Sequence, residues 1–293
     1  MFIPNVLNLT EPENALPLIF DSPHSGTHYP EDFDYACPFM ALEQSEDKYV
    51  DDLFINAPSL GAPLLCALFP RTYIDVNRSM DDIDEALLDK PWNDPDIALN
   101  PTNRSYAGIG LIRRLIKPSL PVYNRLMSQK EIKSRIETYY TPYHHALGKL
   151  IEDAHKNFGQ VWHINCHSMP STAKQIGAYA RLNPAKTTDF VLGDRDGTSC
   201  DIQFTHMIRD FLQSKGYRVA INNPYKGVEL VERYSAPALG RHSIQIEINR
   251  ALYMDEQSCA KNKNYEALKS DITALIAHIA DYTQSQLQPL AAQ

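Results

Sequence analysis

Val161-Trp-His-Ile-Asn-Cys-His167-Ser-Met-Pro170 is the stretch from which the fold of this 293-residue chain can be inferred. Its apolar residues alternate with polar ones and are followed by Ser168 and Pro170, a pattern typical of a buried strand that ends at a loop. His167 is therefore predicted at the carboxyl end of a strand, which is where open α/β sheets place their ligand sites.

Two other stretches have a related form. Leu16-Pro-Leu-Ile-Phe-Asp-Ser-Pro-His24-Ser-Gly26 is an apolar run followed by a histidine in a turn that contains proline and glycine. Ile244-Gln-Ile-Glu247-Ile alternates strictly, which places Glu247 on the same face as Gln245 and opposite the isoleucines. Two histidines and a carboxylate at one sheet edge outline the site of a metal-dependent hydrolase.

Strands and helices alternate along most of the chain. In the first half, the patterns predict a surface lead-in at 1–15, a strand at 16–21, a helix at 45–57, one or two strands in 64–74 and then irregular chain to 121, which is long enough to be a functional loop. In the second half, they predict two helices in 122–158, the strand with His167, a helix at 201–216, a strand at 217–222, a loop at 229–240, the strand with Glu247 and a closing helix through 268–279. This order predicts one α/β domain with a layered sheet over residues 1–293.

Composition narrows the class of protein. Hydrophobic residues make up 43% and charged residues 22% of the chain, and its formal charge of -8 argues against a partner that is nucleic acid or an anionic membrane. The five cysteines are far apart and form no C-x-x-C pair, which favours reduced thiols. With no visible signal peptide or membrane span, we expect a cytoplasmic protein. Its oligomeric state is not readable from these features.

A catalytic zinc takes three protein ligands from histidine, aspartate and glutamate and leaves a fourth position for water. His24 and His167, joined by Asp47 or Glu46, meet that requirement. The alternative for the two acids is that they cap the start of the helix at 45–57. Manganese, iron or cobalt would also accept such ligands, so the native metal stays open.

Glu247 and several cations complete the candidate site. Facing the metal, Glu247 would act as general base, and the alternative is an ion pair with Arg250. Asn77 and Arg78 suit a substrate carboxylate, because a guanidinium binds a carboxylate through two parallel hydrogen bonds. The alternative for Arg78 is a surface salt bridge to a nearby aspartate. A diacid substrate needs more than one cation, and further cations in predicted loops are Arg104, Lys226 and Arg233.

Five motifs occur in order over most of the chain: Pro23-His24-Ser25-Gly26, Asp75-x-Asn77-Arg78-x-x-Asp81-Asp82, Cys166-His167-Ser168, Tyr225-Lys226-Gly227 and Gln245-x-Glu247. In these motifs the chain resembles the N-formylglutamate amidohydrolase (deformylase) family, which is related to zinc carboxypeptidases and to the succinylglutamate desuccinylase and aspartoacylase group. The resemblance implies a three-layer α/β/α fold with a mixed central sheet, as in zinc exopeptidases.

The resemblance also implies one zinc per chain on His24, Asp47 and His167, with Glu247 as base. Asn77 and Arg78 would hold a substrate carboxylate. Where members of the family have an Asp-Thr-Asp-Trp-His-like stretch, this chain has Ser45-Glu-Asp47-Lys-Tyr49. Asp47 aligns with the second acid, and Glu46 stays the alternative ligand. The segment around Lys226 also departs from the family pattern, which bears more on the substrate than on the metal.

The implied activity is zinc-dependent hydrolysis of N-formyl-L-glutamate to formate and glutamate, the last step of a histidine-degradation route. One alternative is a zinc-dependent deacylase or carboxypeptidase acting on another N-acyl acidic amino acid or a small peptide. A cysteine hydrolase that uses Cys166 is disfavoured, because Cys166 and His167 are adjacent on a strand and point to opposite faces. A binding protein without catalysis is the non-enzymatic alternative.

Overall fold

A mixed β-sheet of eight strands is the main element of the computed structural model, which describes residues 1–172 and 188–287. The strands of the chain are β1 (Phe2–Ile3), β2 (Leu7–Thr10), β3 (Leu18–Ser22), β4 (Leu64–Ala67), β5 (Leu115–Lys117), β6 (Leu120–Pro121), β7 (Val161–Met169), β8 (Phe190–Gly193), β9 (Val219–Ile221), β10 (Arg241–Asn249), β11 (Met254–Asp255) and β12 (Ala260–Lys261). The sheet order is β1-β2-β4-β3-β7-β10-β8-β9, and β5–β6 and β11–β12 form separate pairs.

Strand direction makes the sheet mixed. β7 is parallel to both of its neighbours, β3 and β10, whereas β10 is antiparallel to β8. The helices are α1 (Phe39–Glu43), α2 (Val50–Leu53), α3 (Asn103–Tyr106), α4 (Gln129–Arg135), α5 (Thr141–Phe158), α6 (Ile202–Ser214), α7 (Glu229–Arg233) and α8 (Tyr265–Ser285). The predicted α/β class with a mixed sheet is therefore confirmed.

The chain groups into two units by its contacts. The first contains residues 1–8, 23–48 and 66–147, and the second contains 9–22, 49–65 and 148–293. The second unit contains β3, β7, β8, β9 and β10 together with the long helices α6 and α8. The first contains the irregular chain that was predicted up to residue 121 and most of the helical segment after it. The single domain over 1–293 stays a prediction.

The central strand has one apolar and one polar face. The register pairs Ile164 with Phe20 and Ile244, and all three are completely buried. One residue further along, Asn165 pairs with Asp21 and Gln245. Since matched residues of neighbouring strands point to the same side of a sheet, the polar residues of the three strands share one face. Cys166 belongs to the apolar face and His167 to the polar one, as the alternation predicted.

The structure differs from the predicted elements in four places. The helix predicted at 45–57 is reduced to α2 at Val50–Leu53. Residues 1–15 are not only a lead-in, because they contain β1 and β2, and Leu7 and Leu9 are buried. Residues 229–240 are not all loop, because α7 and a 3-10 turn at Pro237–Leu239 lie within them. The strand β8 was missed, since four consecutive buried residues, Phe-Val-Leu-Gly, carry no alternation.

Helix α4 continues into α5 through a π-helical segment, Ile136–Tyr140, instead of ending at a loop. Three side chains of this continuous helix bind the backbone of residues 73–78. Arg135 Nη1 donates to the Tyr73 carbonyl at 3.0 Å, and the Tyr140 hydroxyl donates to the Arg78 carbonyl at 3.0 Å. His144 Nε2 lies 2.9 Å from the Val76 carbonyl. The helix therefore fixes the segment that carries Asn77 and Arg78.

We expect Arg135→Met to lower the free energy of unfolding by about 3 kcal/mol, because it removes one partner of a buried charged network. Arg135 is 1% exposed, lies 3.9 Å from the centroid of the Tyr73 ring, and donates to Glu131 at 2.7 Å. Urea unfolding measures the change. Lys149→Met is the control: it removes an exposed ion pair with Asp153 and should change the value by less than about 0.5 kcal/mol. Equal changes in the free energy of unfolding for the two substitutions would contradict the structural role given to Arg135.

Candidate active site

His24 follows β3 by two residues, in a loop that packs closely against residues 68 and 69. His28 N donates to the Leu68 carbonyl at 2.8 Å. A Cβ atom on Gly26 would lie 2.3 Å from the Leu68 carbonyl carbon, so only glycine fits there. Glycine is needed here for the close approach of two backbones, and its effect is to fix the loop in which His24 lies.

Asp47 is tied to the same loop by hydrogen bonds at both of its backbone groups. Asp47 N donates to the His24 carbonyl at 3.0 Å, and the Ser25 hydroxyl donates to the Asp47 carbonyl at 2.9 Å. His24 Nδ1 lies 3.4 Å from Asp47 Oδ2, and both side chains are 1% exposed. The motif Pro23-His24-Ser25-Gly26 thus positions the acid that comes more than twenty residues later.

Asp75 orients the His24 ring. Its Oδ1 lies 2.7 Å from His24 Nε2 and accepts from Asn77 N, and its Oδ2 accepts from Arg71 at 2.9 Å. Burial alone would raise the pKa of Asp75, but its interaction with His24 and the charge of Arg71 hold it well below its usual range. The carboxylate is therefore an acceptor, and His24 Nε2 donates its proton to it. This leaves Nδ1, the nitrogen next to Asp47, as the one that can bind a metal.

His167 has a corresponding partner on its own strand. Asn165 Nδ2 donates to Asp21 Oδ1 at 2.7 Å, so its Oδ1 faces His167 Nε2, also at 2.7 Å. Nε2 of His167 is then the donor, and Nδ1 is the nitrogen available to a metal. His163 Nε2 lies 3.0 Å from the same Asp21 oxygen, and all four side chains are buried.

Glu247 lies beside His167. The two residues are register partners on the parallel strands β10 and β7, and Glu247 is 8% exposed. Gln245 Nε2 donates to Glu247 Oε1 at 2.7 Å, which shows that these two side chains share a face, as the alternation predicted. Arg250, the alternative partner of Glu247 in the sequence, donates through Nε to the Ser168 hydroxyl at 3.0 Å.

One group of three among the described His, Cys, Asp and Glu residues is able to hold a metal ion: His24, Asp47 and His167. One ligand atom from each lies within 4.8 Å of the others, and all three residues are buried. Two imidazoles and a carboxylate are a donor set typical of a catalytic zinc with an open fourth position. The fixed Nε2–H groups of both histidines fit the same use, since a second partner on the ring orients a ligating histidine.

Glu46, the alternative acid, makes different contacts. Its carboxylate accepts a hydrogen bond from the Tyr29 hydroxyl, and Lys48 Nζ lies 3.6 Å from its other oxygen. Burial raises the pKa of Glu46 to about 7, although the bond from Tyr29 and the charge of Lys48 act in the opposite direction. Neither acid caps α2, whose N-cap residue is Tyr49.

Asn77, Arg78 and Arg104 lie in one irregular region that Asp82 organises. Asp82 accepts from Thr102 N at 2.7 Å and from the Ser105 hydroxyl at 2.7 Å, which fixes the turn of α3. Arg78 is 9% exposed, and its Nε donates to the Ile109 carbonyl at 3.2 Å. The surface salt bridge considered for Arg78 is thus replaced by a bond to a backbone carbonyl. Arg104, in α3, is exposed.

Lys226 and Arg233 lie on the surface of the second unit. Lys226 Nζ pairs with Asp196 at 2.7 Å and is 56% exposed. Arg233 pairs with Glu229, one turn earlier on α7, and is 40% exposed. The pair of Lys226 is exposed on both sides and costs little to break, whereas Glu229 in the pair of Arg233 is only 17% exposed. Their part in substrate binding stays a prediction.

Asp75, Arg71 and Asn165 were not singled out by sequence reasoning as supports of the site. Asp75 is the first residue of the motif that contains Asn77 and Arg78, and Asn165 lies two residues before His167 on the same face of the strand. The sequence therefore contained evidence for both positions. Arg71 carried no such signal: it lies in no regular element, and its contact with Asp47 at 3.6 Å joins residues distant in sequence. In residues 1–172 and 188–287, no helix is long and apolar enough to cross a membrane.

Comparison with known proteins agrees with the resemblance in the motifs. The family model of N-formylglutamate amidohydrolase matches residues 16–254. The N-formylglutamate amidohydrolase of Ralstonia eutropha is 44% identical with a TM-score of 0.89, over 96% of this chain and 99% of that one. The N-formylglutamate deformylases of Pseudomonas aeruginosa and Pseudomonas putida are 27% and 26% identical, over 83% of this chain and 84% of theirs. A gene product of Agrobacterium tumefaciens, 13% identical with a TM-score of 0.64 over 97% of this chain and 96% of that one, shares the fold.

The fold and these relatives, together with the buried group of His24, Asp47 and His167, define an enzyme that hydrolyses an amide bond. The chain belongs to the N-formylglutamate amidohydrolase family.

Proposed function

We propose that this chain hydrolyses N-formyl-L-glutamate to formate and L-glutamate with one zinc ion bound by His24, Asp47 and His167. The observation that carries the proposal is the buried group of these three residues, whose ligand atoms lie within 4.8 Å of one another in a member of this family. The sheet topology supports it, because His24 follows β3 by two residues, and β3 is the parallel neighbour of the strand that carries His167.

Zinc in such a site supplies Lewis acidity: it polarises the formyl oxygen and makes a water molecule more acidic. The protein contributes the geometry of the ligands. Asp75 and Asn165 hold His24 and His167 each through Nε2, so that neither ring has to reorient when a metal binds. The side chains of all three proposed ligands are at most 2% exposed, which keeps bulk water from competing for the site.

Glu247 is the general base of the proposed reaction. It accepts a proton from the attacking water as the new bond forms between the water oxygen and the formyl carbon. The bond between the formyl carbon and nitrogen then breaks, and Glu247 passes the proton to the departing nitrogen, which leaves as the amino group of glutamate. The products are formate and glutamate, and Glu247 ends the cycle ionised. The Gln245 amide, 2.7 Å from Glu247 Oε1, fixes the carboxylate.

Cations of the chain would bind the two carboxylates of the substrate. Asn77 and Arg78 are proposed to hold one of them, because the guanidinium is buried and bonded through Nε alone to a carbonyl, which leaves the Nη groups for a ligand. Arg104, Lys226 and Arg233 are the candidates for the other carboxylate. We expect the enzyme to act in the cytoplasm on this small molecule, at the last step of histidine degradation.

The test is hydrolysis of N-formylglutamate by the purified protein, before and after chelation and zinc restoration, with metal content measured on the same samples. We expect about one zinc per chain, and activity that is lost and regained with it. N-acetylglutamate, N-acetylaspartate and a small peptide are assayed in parallel. Bound zinc with turnover of one of these instead would establish the alternative deacylase or carboxypeptidase. Activity with no bound metal would overturn the zinc site.

A further inference from the structure

Three arginines of the first unit lie around the backbone of Ile109. The Ile109 carbonyl accepts from Arg78 Nε at 3.2 Å, and Ile109 N donates to the Arg104 carbonyl at 2.9 Å. Ile109 also forms a β-bridge with Arg113. We call Arg78, Arg104 and Arg113 the arginine cluster. The loop from 102 to 113 therefore fixes the backbones of Arg104 and Arg113 relative to Arg78.

The arginine cluster has no ion-pair partner among the described residues. In residues 1–172 and 188–287, none of its three guanidinium groups forms an ion pair, and only Arg78 donates a side-chain hydrogen bond, to a carbonyl. The neighbouring Arg71 differs, because it is paired with Asp75 at 2.9 Å and lies 3.6 Å from Asp47. Two of the carboxylates near this region, Asp47 and Asp75, thus already interact with Arg71 and His24.

Arg113 is the member whose environment most requires an anion. It is only partly accessible to solvent. Burial, together with the positive charges of Arg71 and Arg78, lowers its pKa to about 9, although Asp75 and Asp47 act in the opposite direction. Leaving a guanidinium among like charges without an ion-pair partner is costly, and a bound anionic group would offset that cost.

The loop that carries Arg113 is closely packed and held by backbone hydrogen bonds. A Cβ atom on Gly110 would lie 2.0 Å from the Ser105 hydroxyl oxygen and 2.5 Å from the Asp82 carbonyl oxygen. Leu111 bonds on both sides, through its N to the Asp82 carbonyl and through its carbonyl to Asp75 N, each at 2.8 Å. The same aspartate that orients His24 therefore also holds the loop of Arg113 in place.

We infer that Arg113 binds the side-chain carboxylate of the substrate and so selects N-acyl amino acids that are acidic. The inference rests on the proposed function for the identity of the substrate, and it gives Arg113 a role in addition to that of Asn77 and Arg78. Arg78 holds one carboxylate of the dianion, and Arg113, with Arg104 at the exposed edge of the cluster, holds the second. A neutral side chain would leave the Arg113 charge unbalanced, which disfavours binding of neutral analogues.

The experiment measures binding of glutarate and of butyrate to the purified protein by calorimetry. Glutarate has two carboxylates and butyrate has one, and neither contains a bond that the enzyme can cleave. We expect Arg113→Gln to weaken glutarate about 10- to 100-fold, the usual loss for a hydrogen-bonded charge, and to change butyrate less than about twofold. Arg114→Gln is the matched control, because this adjacent arginine is already paired with Asp84 at 2.6 Å, and it should leave both affinities unchanged.

Arg113→Lys is measured in parallel, because it keeps the charge and replaces only the planar fork. We expect it to weaken the binding of glutarate at least about threefold and to leave the affinity for butyrate unchanged. The inference would be overturned if Arg113→Gln bound glutarate within twofold of the affinity of the unaltered protein. It would also be overturned if the substitution weakened the binding of glutarate and of butyrate equally. If glutarate binding depends on Arg113 but the protein does not hydrolyse N-formylglutamate, the carboxylate site would be supported. Only the proposed substrate would then be contradicted.

Discussion

Glu247→Gln is expected to lower kcat for N-formylglutamate by about 10³-fold, within the range that a general acid–base contributes. Glutamine keeps the size of the side chain and an oxygen that can accept from Gln245, but it can neither take a proton from water nor return one to nitrogen. The zinc content should not change, since Glu247 is outside the proposed metal-binding group of His24, Asp47 and His167. Substrate should still bind, so the loss is expected in kcat with KM within a few-fold of its original value.

The control for this substitution is Glu256→Gln. Glu256 accepts a hydrogen bond from Ser171 N through its Oε1 at 3.0 Å, and it has no role in the proposed reaction. Steady-state kinetics and metal analysis on both variants measure the effects. A Glu247→Gln enzyme that keeps more than about a tenth of its kcat would assign the base to another residue. Loss of zinc from the same variant would mean that Glu247 supports the metal site instead.

The polar face of the sheet was predictable because a strand has a period of two. In β7 and β10 that period placed His167 and Glu247 with polar neighbours, and the register between the strands then made the two residues partners. The loop of His24 was predictable from Pro23 and Gly26, although the reason that glycine is needed there is a contact with residues 68 and 69. That contact has no local signal in the sequence.

The supports of the site show the same limit. Arg135, Tyr140 and His144 read as parts of two helices, and nothing in their spacing predicts that they bind the backbone of residues 73–78. Arg113 lies in irregular chain, where no periodicity predicts which side chains meet. Its lack of an ion-pair partner follows only from knowing which carboxylates Arg71 and His24 already use. Local patterns predict faces and turns, whereas long-range pairing decides which charges are balanced.

Asp47→Asn is expected to weaken zinc binding and Glu46→Gln to leave it unchanged, and this pair of variants decides which acid is the ligand. Asp47→Asn should weaken zinc binding by more than about 100-fold, which exceeds the usual loss when only an outer partner of a ligand is removed. The physical reason is that an amide oxygen is a poorer ligand for zinc than a carboxylate, and that the substitution also removes one of the two charges next to Arg71. Activity at limiting zinc should fall by a similar factor.

Glu46→Gln should keep the zinc, because the Glu46 carboxylate interacts with Tyr29 and Lys48 and lies outside the proposed metal-binding group. The side chain is buried and hydrogen-bonded, so a loss of stability of about 1 kcal/mol is expected from the weakened bond to Tyr29. Competition for zinc against a chromogenic chelator measures affinity without any assay of activity. Weaker zinc binding in Glu46→Gln than in Asp47→Asn would make Glu46 the acidic ligand, and equal affinity in both variants and the unaltered protein would leave the two histidines without a carboxylate from this segment.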